Sequence, residues 1–152
     1  MTTFWRNWLT IWGWAVAAVG LLLTGAAFPG PDAPTRVLLG LMAGEPLGSL
    51  DDVSRFSIAL LGAVTLGWGL TLLAAFDAAH ALGREGRSVW ARLTTAVLVW
   101  WAVDSALSVA TGFALNAASN TLFLAGYLVP VLRSGVLGSV RAVTGSEVRS
   151  AA

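Results

Sequence analysis

The chain has 152 residues, of which 57% are hydrophobic and 11% charged, with a net charge of +1. A soluble domain carries about 25% charged residues, so this composition suits lipid rather than water, and no basic stretch is long enough to follow a phosphate backbone. With no cysteine and a single histidine, His80, the chain alone cannot form a disulfide, a thiolate nucleophile, an iron–sulfur site, a multi-histidine zinc centre or a bis-histidine haem.

Uncharged sequence runs from Trp8 to Phe28 and again from Phe56 to Phe76. Leu93 to Leu115 carries Asp104 as its only charge, and Thr121 to Val140 carries only Arg133. Each run is about 20 residues long, enough at about 1.5 Å per residue to cross a hydrocarbon core of about 30 Å. Lipid offers no partner to a free backbone N–H or C=O, so each must be helical. The expectation is an all-α integral membrane four-helix bundle, antiparallel up-down-up-down, in one domain over 1–152. Its helices fall near 8–28, 55–77, 92–115 and 120–140, with an outer loop at 29–54. The first run is longer than a signal-peptide core and carries Trp8, Trp12 and Trp14, so it reads as a retained helix.

In the outer loop, Pro29, Pro31 and Pro34 prevent helix continuation. Val37 to Ala43 is too short to span; it is expected to be a loop whose leucines pack on the bundle, or else an interfacial or re-entrant turn. In the second helix Gly62, Thr65, Gly67 and Gly69 would admit a neighbouring helix at close range. Arg84, Arg87 and Arg92 fill the second loop, Arg6 lies near the N-terminus, and Arg141 and Arg149 lie in the tail. By the positive-inside rule both termini are cytoplasmic. Trp5, Trp8 and Trp90 would then sit at the cytoplasmic interface. Exclusive use of arginine and abundant Ala and Gly fit a GC-rich bacterial genome, hence a bacterial cytoplasmic (inner) membrane. Asn116 to Asn120 suits a tight turn, with Asn116 closing one helix and Ser119 or Asn120 capping the next.

Asp104 is the most informative residue. A charge deep in a bilayer costs about 2.5 kcal/mol on insertion scales and 10 or more in simulations, so it should face the bundle or water and find a partner. A hairpin centred on Ala118 would bring Asp104 level with Arg133. An intramembrane Asp104–Arg133 pair is therefore expected, against the alternative that Arg133 snorkels to the interface. Ser108 and Thr111 follow Asp104 on one helix face, with Ser105 beside them; such stripes usually mark helix contact. Trp68, Trp100 and Trp101 lie deep, and with Ser105, Ser108 and Thr111 they could line a polar-aromatic pocket for a lipid, quinone or other flat apolar ligand. No cofactor or metal site follows from this chain alone. His80 with Asp77 three residues before it resembles an oriented base only superficially, and no serine at membrane depth has a histidine beside it.

The functional expectation is a non-catalytic accessory, assembly or packing subunit of a larger membrane complex, touching the bilayer and other membrane chains or further copies of itself. The alternative is a small oligomeric transporter or channel, with Asp104 as its proton or cation site and Arg133 as counter-charge.

Overall fold

A computed structural model describes residues 1–138. Arg141, Arg149 and the expected end of the last helix at 140 lie outside the described residues. Within them the chain is all-helical, with no strand. Helix α1 spans Thr3–Thr24 and ends in a 3-10 turn, Gly25–Ala27. Helix α2 spans Ala33–Ala43, α3 Asp52–Ala81, α4 Arg87–Ala110 and α5 Ala114–Arg133. The helices α1, α3, α4 and α5 are long and apolar enough to cross a membrane, while α2 is too short.

The apolar stretch of the outer loop is thus a helix. Pro34 sits in its first turn, where a missing N–H costs nothing. Gly44, at φ 79°, closes it, and Glu45 donates its N–H to the Gly40 carbonyl. Helix α3 begins at an N-cap, Asp51, whose carboxylate accepts from the Ser54 N–H at 2.8 Å and the Ser54 hydroxyl at 3.0 Å.

The tightest seam joins α1 and α3. A Cβ added to Gly62 would lie 2.6 Å from the Thr24 nitrogen, and one at Gly69 2.7 Å from the Ala17 nitrogen. Gly20 abuts the backbone of Leu66, and Gly13 the side chain of Leu73. The two backbones touch because no side chain intervenes, which is how small residues join helices in lipid. Gly67, by contrast, faces open space.

Helix α5 packs against α1 through a second device. Pro130 has no N–H, so the Gly126 carbonyl one turn earlier loses its helical donor. The Trp8 indole N–H donates to that carbonyl at 2.8 Å. Trp12 donates to the Phe123 carbonyl at 2.9 Å, one turn later on α1 and one turn earlier on α5. The Trp8 indole thereby serves a carbonyl that hydrocarbon would leave bare, and the Trp12 indole adds a second bond to one with its own helical donor. Around them Leu9, Trp12, Phe76, Trp90, Tyr127 and Val131 form the core. Tyr127 lies 3.1 Å from the Thr94 hydroxyl and so has a hydrogen-bond partner across α4 and α5.

Trp90, in the first turn of α4, points into the bundle. It is 2% exposed, stacked on Phe76 with centroids 5.7 Å apart and edge-on to His80. Its position beside three arginines suggested a boundary residue, but its helix turns it inward. His80 contacts the Phe76 carbonyl and the Met1 sulfur, while Asp77 faces Arg6 at 3.9 Å, so Asp77 does not orient the imidazole.

Trp8→Phe should destabilise the bundle by about 1–3 kcal/mol, the cost of stranding one backbone acceptor. Pro130→Ala restores the donor to Gly126. In that background the same change should cost clearly less, as measured by unfolding titrations in mixed micelles arranged as a double-mutant cycle.

Candidate functional site

Helix α4 ends at a Schellman arrangement. Gly112 takes φ 88°, its N–H bonds the Val109 carbonyl, and the Phe113 N–H bonds the Ser108 carbonyl at 2.7 Å. Helix α5 starts at Ala114, so the hairpin turn is Thr111–Phe113 and not Asn116–Asn120. Asn116, Ser119 and Asn120 are helical residues, the last two one turn after the first. They line one cavity with the stripe that Asp104, Ser108 and Thr111 form on α4.

This register corrects the expected ion pair. Asp104 and Arg133 do not meet: Asp104 is about six residues, roughly 9 Å, from the turn, whereas Arg133 ends α5 at the far side of the bundle. Among the described residues Asp104 makes no ion pair. It lies six residues before the C-terminal end of its helix, Ala110. Its partners are polar and neutral. Asn116 donates one amide hydrogen to Asp104 Oδ1 at 3.1 Å and another to Ser108 Oγ at 2.8 Å. Ser108 donates to the Asp104 backbone carbonyl at 2.7 Å and lies 3.1 Å from Oδ1.

The polar wall faces a cavity of about 490 Å³. Its other sides are apolar: Val16, Val19 and Leu23 from α1, Ile58 and Leu61 from α3, and Phe123 from α5. Leu38, Leu39 and Met42 of α2 close one end of it. Trp68 and Trp100, with ring centroids 5.2 Å apart, bridge α3 and α4 at the end away from α2. Beyond that pair the cavity, not a packed seam, lies between these two helices. A groove along α4 meets it at Trp100, Asp104 and Leu107.

Of the residues picked out for a pocket, Trp68, Trp100, Ser108 and Thr111 line this cavity with Asp104. Trp101 does not; it reaches the Thr121 hydroxyl at 3.2 Å. Ser105 also lies off the cavity, its buried hydroxyl without a partner among the described residues. The residues that complete the site, Asn116, Asn120, Phe113 and the α2 leucines, were not legible as site residues. The signal that could have placed the asparagines was Thr111-Gly112, a better helix stop than Asn116 because glycine takes a left-handed conformation without a Cβ clash.

Asn120 stands apart. It is 6% exposed, it lines the cavity, and its amide nitrogen has no hydrogen-bond partner among the described residues. A buried unsatisfied amide costs about 1–3 kcal/mol.

Helix α2 is latched to the bundle by charge. Arg55 of α3 bonds Asp32 Oδ2 at 2.8 Å and the Ala26 carbonyl at 3.1 Å. Arg36 Nε lies 3.4 Å from Asp32 Oδ1, close enough for attraction though not aligned as a hydrogen bond. Thr35 donates to the Leu22 carbonyl at 2.8 Å. Burial pushes the Asp32 carboxyl up, but the Arg55 hydrogen bond and the charges of Arg36 and Arg55 together outweigh it, leaving the group below its ordinary 3.8. Composition showed only that these charges lie in one loop.

No known protein family, curated protein or solved structure matches this chain.

Because folding lowers the Asp32 carboxyl's pKa, the latch contributes fully above 3.8 and is lost as pH falls through the lower folded value. A spin label on Val37→Cys, which is exposed on α2, should keep constant mobility above 3.8 and loosen below it. Arg55→Met should loosen it already at neutral pH.

Proposed function

We propose that this chain is a non-catalytic multi-pass membrane protein that holds an apolar membrane molecule inside its bundle. The observation that carries the reading is the cavity under α2. It has the volume of a small-molecule site, about 300–1,000 Å³, and the usual makeup of one: apolar walls with a few converging polar groups. The exposed leucines, valines and phenylalanines of the four long helices fit a hydrocarbon surround. In this reading the helices run up-down-up-down, as the α1–α3 pairs Gly13–Leu73, Ala17–Gly69 and Thr24–Gly62 suggest. Both termini are cytoplasmic by the arginine distribution, and α2 lies on the outer face of a bacterial cytoplasmic membrane. The protein serves as an accessory component of a larger membrane complex, with the exposed indoles of Trp8 and Trp14 on α1 suited to a neighbouring chain.

A second reading, a small transporter, draws on Asp104 lining both the cavity and the groove on α4. Asp104 would be its proton or cation site, with Asn116 rather than Arg133 beside it.

Native mass spectrometry of the protein released from mild detergent should show a membrane-derived small molecule bound one to one. Val19→Trp, which puts an indole into the cavity wall, should weaken its retention without loss of helicity. A wild-type protein that carries nothing under any gentle extraction contradicts the reading.

A further inference from the structure

The cavity's polar atoms specify the head of the molecule it would hold. Asp104 uses Oδ1 for Asn116, and no described side chain bonds its Oδ2. Asn120 lines the same space about 9 Å into α5, and its buried amide N–H has no acceptor among the described residues. Asn116 cannot serve either, since both its amide hydrogens are committed. An occupant that satisfies both positions must donate a hydrogen bond to Asp104 and accept one from Asn120. A hydroxyl is the smallest group that does both.

Other heads fit less well. A ketone accepts from Asn120 but has nothing to donate to Asp104. An ammonium donates to Asp104 but has no acceptor for the amide. A phosphate or fatty carboxylate would meet the Asp104 carboxyl with no arginine among the lining residues. The volume, about 490 Å³, suits a single chain or a fused-ring body rather than a two-chain lipid. Indole faces at Trp68 and Trp100 and the Phe123 ring supply flat apolar contact at the end away from α2.

We propose that the cavity binds a neutral apolar alcohol, its hydroxyl held between Asp104 Oδ2 and the Asn120 amide and its body against Val16, Trp68, Trp100 and Phe123. The proposal rests on the reading that the cavity is a ligand site, and deepens it by naming the ligand's chemistry. It also accounts for Asn120: an amide that weakens the empty bundle is matched when the hydroxyl is present.

The test uses the full chain in nanodiscs and four photoreactive hexadecyl probes of one length, each with a mid-chain diazirine. One ends in a hydroxyl, one in a trimethylammonium, one in a carboxylate and one in a methyl group. The hydroxyl probe should label peptides of the cavity wall saturably, in competition with unlabelled hexadecanol, and about tenfold more than the others. Asn120→Leu should cut that labelling about tenfold while raising the melting temperature of the unliganded protein, since it removes an unpaired buried amide. A merely structural asparagine would not separate the two readouts. Equal saturable labelling by all four probes overturns the alcohol assignment but leaves the cavity a ligand site. Preference for the trimethylammonium probe overturns it in favour of a cation site at Asp104. No saturable labelling by any probe overturns both the alcohol assignment and the ligand-site reading.

Discussion

A helix in hydrocarbon cannot end wherever its sequence turns polar, because its last carbonyls still need donors. In α4 those donors come from Gly112 and Phe113, and they can reach back only because Gly112 takes a left-handed backbone. A residue with a Cβ would meet a strain of about 1–2 kcal/mol there. The position of this stop fixes the register of α5, and the register decides which side chains confront one another. With the turn at Thr111–Phe113, Asn116 lies against Asp104 and Ser108, and Asn120 falls one helical turn deeper. With the turn a few residues later, the same helices would have presented Arg133 to Asp104. The chemistry of the wall, neutral and rich in hydrogen bonds rather than ionic, is therefore set by one backbone torsion.

The cavity in front of that wall comes from unequal packing. Gly20, Gly62 and Gly69 draw α1 and α3 into backbone contact, while the Trp8 and Trp12 indoles tie α1 to the Phe123 and Gly126 carbonyls of α5. Helices α3 and α4 meet through bulky rings, Phe76 on Trp90 and Trp68 on Trp100. Rings hold helices farther apart than glycines do, so a space opens beyond the last ring pair. Helix α2, latched by Asp32 and Arg55, covers that space without filling it. A structural role alone would favour an apolar residue at 120 over an unpaired amide.

Much of this architecture was legible in the sequence. The four long helices follow from the length of the apolar runs, and the close seam of α3 from Gly62 and Gly69. What was not legible depended on competition between adjacent signals. Asn116–Asn120 was the expected turn, but α4 stops earlier, at Thr111-Gly112, because the left-handed glycine lets two carbonyls be satisfied at once. Trp90 sits in an arginine-rich segment that resembles an interface, yet helix rotation turns it toward Phe76. The Asp32–Arg55 bond joins residues on separate helices, and no periodicity within either could announce it. Val37 to Ala43 is too short to span, so its helicity depended on caps at Pro34 and Gly44 rather than on hydrophobic length.

The absence of native cysteine makes the central register directly measurable by paired cysteine substitution and oxidation in the membrane. Ser108→Cys with Asn116→Cys places two thiols where the native side chains are 2.8 Å apart, and this pair should cross-link readily, while Asp104→Cys with Arg133→Cys should not. Efficient cross-linking of the second pair with none in the first would put the turn elsewhere and contradict the account.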